Sequence, residues 1–160
     1  MVCCPSSDEE LTVRVNEILE GRLWQRGQFL TASRSSKRAT LDNLGIDVIV
    51  NLWTKPDPDL DARPNERLYV HWPIHGTKVE DKFLLRLMVK FIVRLIEHDH
   101  KVLIHCEAGV NRSIFLVTLV VAALEKISTE NALELVRGRC GRIKMQAALE
   151  ALLPQFGESE

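Results

Sequence analysis

The chain has 160 residues, of which 46% are hydrophobic and 27% charged, a balance typical of a globular protein rather than a disordered one. This length is enough for one domain with a substantial core. The net charge of −1 at pH 7 argues against a general nucleic-acid-binding protein or a membrane-surface protein.

The ends of the chain are predicted to frame a single domain. Residues 1–10 lack the basic region and apolar core of a signal peptide, and we expect them to form a flexible tail. The alternative to a plain tail is a lipidation site at Cys3 and Cys4. Residues 11–156 are predicted to form one domain. No CxxC or His/Cys metal-binding spacing is present, so we expect reduced thiols and a cytoplasmic location.

The first half of the chain predicts short strands and one helix. Leu11–Gly21 fits either a strand or a helix. Ser35 or Ser36 is predicted to cap a helix that runs to about Leu44 and stops at Gly45. Three segments are predicted strands: Leu23-Trp24, Asp47–Trp53 and Leu68–Trp72. Between the last two, residues 54–66 are rich in Pro and Asp and predict a loop.

The longest predicted helix runs from Glu80 to His98. A basic residue recurs at every fourth position in one stripe: Lys82, Arg86, Lys90 and Arg94. Almost every residue between these is apolar, which gives an apolar arc wider than contact with one sheet needs. The basic stripe is interpreted as the solvent-exposed face. The alternatives are the docking of an acidic partner and a homodimer formed through the spare apolar surface.

The second half of the chain predicts a buried strand followed by helices. The strand is the apolar run Lys101–Ile104, and Ile114–Leu124 predicts a buried helix that is too short to span a membrane. A helix capped by Ser128 or Thr129 and a last helix at Met145–Leu153 follow. This order of elements predicts an α/β fold, a three-layer α/β/α sandwich around a short, mostly parallel sheet.

A nine-residue loop, 105–113, joins that strand to the buried helix. In open α/β sheets ligands bind beyond the carboxyl ends of strands, and the N–H groups at a helix N-terminus bind anions. Gly109 allows a backbone conformation that a Cβ resists, and Arg112 offers a planar fork of donors to two phosphate oxygens. The same donors favour the thiolate of Cys106, and the Ser113 hydroxyl can hydrogen-bond to its sulfur. The loop therefore predicts a phosphate-ester site with a nucleophile.

The loop, read as His105-Cys106-x-x-Gly109-x-x-Arg112-Ser113, resembles the signature of the cysteine-based protein phosphatases, with every fixed position present. The run ILEGRLWQRGQFLTAS at 18–33 is similar to the opening of dual-specificity phosphatase domains. The resemblance spans residues from about 14 to 153. It implies a small, atypical, single-domain phosphatase that needs no metal or cofactor and acts on phosphoproteins, at phosphotyrosine and also at phosphoserine or phosphothreonine.

The resemblance also implies a role for each loop residue. Cys106 attacks the phosphorus, Ser113 assists the sulfur when it leaves, and His105 orients the loop from behind. Backbone amides, together with the Arg112 side chain, hold the phosphate oxygens: Glu107, Ala108, Gly109, Val110, Asn111 and Arg112.

The general acid of this family is missing from its usual place. Trp72-Pro73 resembles the start of the acid loop, but Ile74 and His75 follow where an Asp is expected. Three alternatives stay open: Asp81 acts as the acid, an Asp of the neighbouring loop does so, or there is no acid. The neighbouring loop offers three carboxyl groups: Asp57, Asp59 and Asp61. His75 is a further candidate because an imidazole can donate a proton near neutral pH. It is weaker than the carboxyl groups because a lone exposed His is more often incidental.

Two other functions fit a site without an acid. An RNA 5′-triphosphate carries a good leaving group, and Gly109-Val110-Asn111-Arg112-Ser113 is also similar to the RNA 5′-triphosphatase branch of the superfamily. The lack of overall basic charge argues against RNA. The other alternative is a pseudophosphatase, which binds phosphate without turnover. Cys140 is interpreted as an ordinary thiol, with a redox partnership with Cys106 as its alternative.

Overall fold

A computed structural model describes residues 15–28, 32–61, 66–75, 79, 81–141 and 143–156, without the side chains of residues 60 and 61. The strands are β1 (Asn16–Leu19), β2 (Leu23–Arg26), β3 (Val48–Asn51), β4 (Leu68–His71) and β5 (Val102–His105). The helices are α1 (Arg34–Leu44), α2 (Pro58–Asp61), α3 (Lys82–Glu97), α4 (Arg112–Glu125), α5 (Thr129–Arg139) and α6 (Ala147–Glu150). A 3-10 turn, Leu153–Phe156, follows α6. The predicted tail at 1–10, with Cys3 and Cys4, lies outside the described residues.

The described strands form one sheet in the order β1-β2-β5-β3-β4, with β5 in the middle. β1 and β2 are antiparallel, and the pairs β2–β5, β5–β3 and β3–β4 are parallel. All four residues of β5 are buried, as expected for a parallel strand that is covered on both faces. The predicted short, mostly parallel sheet is therefore confirmed, and its central strand leads into the 105–113 loop.

Two hydrophobic clusters cover the two faces of the sheet. Alternate residues of a strand point to opposite faces, so Val102 and Ile104 join the larger cluster while Leu103 joins the smaller one. α1 covers the smaller cluster with Leu41. On the other face α4 packs between α3 and α5, and its residues Ser113–Ala122 are all buried. The result is the predicted three-layer α/β/α sandwich.

Several element boundaries differ from the sequence predictions. Neither Ser35 nor Ser36 caps α1; the cap is Ser33, whose Oγ accepts a hydrogen bond from the Ser36 N–H at 3.2 Å. Gly45 does end this helix, in the left-handed conformation with φ 68°. The predicted last helix at 145–153 is wrong in length. It is the short α6 followed by the 3-10 turn, which includes Pro154.

The predicted helix at 80–98 is α3, and part of its apolar arc faces outward. Four large apolar side chains of α3 are exposed: Phe83, Leu84, Leu87 and Phe91. Two side chains of the basic stripe beside them contact other residues of the same chain. Arg86 donates to the carbonyl of Gln155 and lies over the Phe156 ring, and Arg94 pairs with Glu97. A homodimer through this face stays a prediction. In the part of the chain that the structure describes, no helix is both long and apolar enough to cross a membrane.

Candidate active site

The 105–113 loop is held from both sides by the chain that continues beyond the neighbouring strands. On the β2 side, the Cys106 N–H donates to the carbonyl of Arg26, the last residue of β2, at 3.4 Å, and just beyond the strand the Gln28 N–H donates to the carbonyl of Glu107 at 2.8 Å. On the β3 side, the Leu52 N–H donates to the carbonyl of His105 at 2.8 Å. These hydrogen bonds fix where the loop leaves the sheet and hence where Cys106 lies.

Cys106 and Ser113 meet at the base of the loop. The Cys106 side chain is buried, and its Sγ lies 3.2 Å from the Oγ of Ser113, which is fully buried in the first turn of α4. A hydroxyl at this distance is placed to donate a hydrogen bond to the sulfur when the sulfur is a thiolate. The structure thus brings together Cys106, the predicted nucleophile, and Ser113, the residue predicted to assist the sulfur when it leaves the phosphorus.

Arg112 begins α4 and is anchored at both ends of its guanidinium. Nη1 donates to the carbonyl of Ile74 at 3.1 Å, and Nη2 donates to the Glu107 carboxylate at 3.1 Å. The N-cap residue Asn111 makes no side-chain capping bond to α4, since its Oδ1 accepts from the Gln146 N–H at 2.9 Å. The first-turn amides of α4 are therefore not capped by Asn111, which leaves them suited to bind an anion.

Gly109 is required by both conformation and space. Its φ of +71° is in the left-handed region, and a Cβ placed on it would lie 2.3 Å from the backbone nitrogen of Gly27. The loop and the end of β2 therefore touch backbone to backbone, and only glycine permits this approach.

We expect Gly109→Ala to lower aryl phosphate hydrolysis by about 10²-fold, because the loop must move away from Gly27 and misplace its donors. Gly21→Ala is the matched control. It has a φ of +64°, but a Cβ added there would meet no neighbouring atom within 4 Å, so it carries only the conformational penalty of about 1 kcal/mol. Steady-state kinetics and thermal unfolding of both variants measure the difference. Equal activities of the two variants would contradict the close-approach argument.

His105 is buried behind the loop as a neutral imidazole. Burial lowers its pKa to about 4, so it carries no charge near neutral pH. Its Nδ1 lies 3.4 Å from the carbonyl oxygen of Cys106. This position agrees with the expected supporting role, which remains a proposal.

Two of the candidate acids are engaged elsewhere. The Nζ of Lys37 lies 2.8 Å from Asp57 and 3.0 Å from Asp59, and both Lys37 and Asp57 are buried. Burial lowers the pKa of Lys37, but its hydrogen bonds to the two carboxylates and their negative charges together outweigh this and raise the pKa above its usual value. The hydrogen bond from Lys37 also lowers the pKa of Asp59. Both carboxylates are therefore partners of Lys37 in one ion-pair cluster. The Asp61 side chain lies outside the described residues.

Asp81 and His75 share a hollow beside Arg112. The hollow has a volume of about 170 Å³ and a mostly apolar lining: Trp72, Pro73, Ile74, His75, Val79, Asp81 and Leu84. It adjoins the loop through Ile74, whose carbonyl holds Arg112. Asp81 is the N-cap of α3, and its Oδ1 accepts from the N–H groups of Phe83 and Leu84 at 2.9 and 3.0 Å. Among the described carboxyl side chains proposed as the acid, Asp81 is the one that lines this hollow.

Sequence reasoning missed one residue that contacts the loop directly. The Gln25 side chain in β2 is fully buried, and its Nε2 lies 2.8 Å from the Gly109 carbonyl and 2.7 Å from the Ser113 Oγ. The sequence gives no distinctive signal, since β2 reads Leu-Trp-Gln-Arg and Gln25 is one of its two polar residues. On its far side lies Cys140, whose Sγ is 3.7 Å from Gln25 Oε1. Burial raises the pKa of Cys140 to about 11, so its thiol stays protonated, as expected for an ordinary thiol.

Comparison with known proteins gives one family match and many structural matches. The family model described as "Dual specificity phosphatase, catalytic domain" matches residues 28–159. No curated protein matches the sequence.

Three solved structures illustrate the fold similarity. The structure of DUSP15 is 22% identical, with a TM-score of 0.74 over 89% of this chain and 86% of that one. The human tyrosine phosphatase-like serine/threonine/tyrosine-interacting protein is 23% identical, with a TM-score of 0.72 over 89% of this chain and 94% of that one. A leucine rich repeat and phosphatase domain containing protein from Entamoeba histolytica is 20% identical, with a TM-score of 0.71 over 91% and 92% of the two chains. At these identities the structures show a shared fold.

Proposed function

The chain belongs to the family of dual specificity phosphatase catalytic domains, and from this we propose that it hydrolyses phosphotyrosine, and also phosphoserine or phosphothreonine, on proteins through a cysteinyl-phosphate. The observation that carries this proposal is the pairing of Cys106 Sγ with Ser113 Oγ at 3.2 Å, at the base of a loop that opens into a helix N-terminus. A site that only bound phosphate would need the amides and Arg112 but not a buried nucleophile with its own donor.

In the first step the Cys106 thiolate attacks the phosphorus. The S–P bond forms and the P–O bond to the substrate breaks. The leaving oxygen takes a proton from Asp81 or, if there is no general acid, from water. The loop amides of residues 107–112 and the Arg112 fork stabilise the charge on the three phosphoryl oxygens in the transition state. Arg112 suits this role because Ile74 and Glu107 already hold its guanidinium in place, which reduces the reorganisation that binding requires.

In the second step water attacks the cysteinyl-phosphate. The new O–P bond forms and the P–S bond breaks, and its electron pair stays on the sulfur as a thiolate. Both hydrogens of the water leave with the product as H₂PO₄⁻. The hydrogen bond from Ser113 stabilises the departing thiolate, so Ser113 acts mainly in this step.

The hollow beside Arg112 supports an aryl substrate. Its lining is mostly apolar, and Trp72 and Leu84 offer surface that would contact a phenyl ring rather than a bare alkyl stem. A phenolate also depends less on a general acid than an alkoxide does, because it is the better leaving group. Both considerations support the proposal that phosphotyrosine is preferred over phosphoserine and phosphothreonine.

The test compares an aryl phosphate, a phosphotyrosine peptide and a phosphoserine peptide across pH, for the wild type and for Asp81→Asn. We expect the wild type to prefer the first two. If Asp81 is the acid, Asp81→Asn removes the alkaline limb of the pH profile and lowers phosphoserine turnover by about 10²-fold or more, with a smaller loss for the aryl phosphate. Asn is also a good N-cap, so α3 should remain intact.

Each contrary outcome has a distinct meaning. No turnover at any pH under reducing conditions would contradict the phosphatase proposal and leave the pseudophosphatase. Faster release of phosphate from an RNA 5′-triphosphate than from the aryl phosphate would contradict the protein substrate. An unchanged profile in Asp81→Asn would exclude Asp81 as the acid, and His75→Gln is then the next variant to measure.

A further inference from the structure

Gln25 is a fully buried polar side chain directly behind the catalytic loop. It lies in β2 opposite Ile104 of β5, within the face of the sheet that α4 covers. Burying an amide costs free energy unless its donors and acceptor are satisfied, so the contacts of Gln25 are informative about its role.

Four contacts satisfy this amide, and the contact with the Gly109 carbonyl fixes its orientation. The Nε2 donates to the Gly109 carbonyl at 2.8 Å and to Ser113 Oγ at 2.7 Å. The Oε1 accepts from Asn16 Nδ2 at 2.9 Å and from Cys140 Sγ at 3.7 Å. A carbonyl oxygen can only accept, so the NH₂ group must be the end that faces Gly109. The protonated thiol of Cys140 acts as a donor on the opposite side.

This orientation determines which way the Ser113 hydroxyl points. Its oxygen receives a hydrogen from Gln25, and its own hydrogen is then directed to the other neighbour, Cys106 Sγ at 3.2 Å. We propose that Gln25 is a positioning residue that holds the Ser113 hydroxyl as a donor to the Cys106 sulfur. The proposal rests on the proposed phosphatase function and adds a residue to its second step.

The expected effect falls on hydrolysis of the cysteinyl-phosphate. In that step the P–S bond breaks and its electron pair becomes a thiolate on Cys106, while water supplies the oxygen and both hydrogens of H₂PO₄⁻. A donor already aimed at the sulfur stabilises this developing charge without reorganisation. No proton is transferred from Ser113, and Gln25 itself touches no reacting atom.

Two variants of similar length remove the Gln25 donor in different ways. Gln25→Met provides neither a donor nor a strong acceptor at this position. Gln25→Glu provides an acceptor in place of the NH₂ group, so the Ser113 hydroxyl is expected to turn from the sulfur to the new carboxylate. Both variants are tested because either buried substitution can impair folding, which circular dichroism reports. Cys140→Ala is the matched control. It removes only the long contact to Oε1 and leaves the donor Asn16 and both contacts of the NH₂ group in place.

The experiment is rapid mixing with an aryl phosphate, together with the pH dependence of Cys106 alkylation by iodoacetamide. We expect hydrolysis of the intermediate to slow by about tenfold in Gln25→Met and by more in Gln25→Glu, with a burst of the phenol leaving group before the slow phase. The alkylation midpoint should move to higher pH by about one unit. Cys140→Ala should keep both wild-type values. In a Ser113→Ala background, Gln25→Met should cause no further slowing.

The outcomes separate this proposal from the function on which it rests. A wild type without turnover contradicts the phosphatase function itself. An active wild type with Gln25 variants that keep the wild-type burst and alkylation midpoint overturns the positioning role. An equal loss from Gln25→Met in the presence and absence of Ser113 also overturns it, because the residue would then act on the structure of the loop rather than through Ser113.

Discussion

Cys106→Ser is expected to lower the hydrolysis of an aryl phosphate by at least about 10⁴-fold. A serine hydroxyl is the same shape but ionises far less readily than a thiol, so the attacking group is lost while the loop around it is kept. The fully buried Ser113 and the anchored Arg112 remain in place in this variant. We therefore expect inorganic phosphate to bind Cys106→Ser about as well as it binds the wild type, as measured by calorimetry.

Cys140 gives the matched control for this variant. It is also buried, and its side chain contacts Gln25 rather than the phosphate-binding amides. Cys140→Ser should retain most of the wild-type rate under reducing conditions. Substantial aryl phosphate hydrolysis by Cys106→Ser, with Cys140→Ser unaffected, would show that another group is the nucleophile.

Arg112→Lys is expected to lower kcat by about 10²-fold or more, although the positive charge is kept. A guanidinium donates two parallel hydrogen bonds to two phosphoryl oxygens, whereas an ammonium is a point charge without that fork. The lysine would also lose the bidentate anchoring that Ile74 and Glu107 give to the arginine. Steady-state kinetics with an aryl phosphate measure the effect.

Arg137→Lys is the control for this substitution. Arg137 forms an exposed ion pair with Glu150, and such pairs contribute little to stability. Its kcat should therefore stay near that of the wild type. A similar small change in Arg112→Lys would mean that charge alone, and not the geometry of the fork, stabilises the transition state.

The part of the site that sequence predicts best is the part that is contiguous in the chain. β5 is a buried apolar run, α4 is another, and the loop between them contains Cys106, Gly109, Arg112 and Ser113 at fixed spacing. The local order of strand, loop and helix already implies an anion site beyond the carboxyl end of a strand. The central strand and its loop therefore required no knowledge of tertiary contacts.

The contacts that sequence does not predict join residues far apart in the chain. Gln25 is 84 residues from Gly109 and 88 from Ser113, and they meet only because β2 pairs with β5 in one particular register. The local pattern around Gln25 gives no sign of this pairing. Long-range contact likewise places Lys37 between Asp57 and Asp59, an ion-pair cluster that distinguishes these two candidate acids from Asp81 and that sequence alone does not predict.

Helix ends show the same limit on a smaller scale. Three serines, Ser33, Ser35 and Ser36, are close in sequence and each is an acceptable cap. Ser33 is the cap because its backbone is extended and its hydroxyl reaches the Ser36 N–H. Residue propensities predict that α1 forms and that Gly45 ends it. Which of the neighbouring serines caps the helix depends on the path of the chain that enters it.

The most direct test of the cysteinyl-phosphate mechanism is to trap the intermediate on Cys106. Wild-type protein mixed with an aryl phosphate and quenched in acid within milliseconds should yield a peptide that contains Cys106 and carries one phosphoryl group by mass spectrometry. The modification should be absent from Cys106→Ser and should accumulate in Ser113→Ala, in which the sulfur loses its donor. Turnover without any phosphorylated Cys106, in the wild type and in Ser113→Ala alike, would contradict the mechanism.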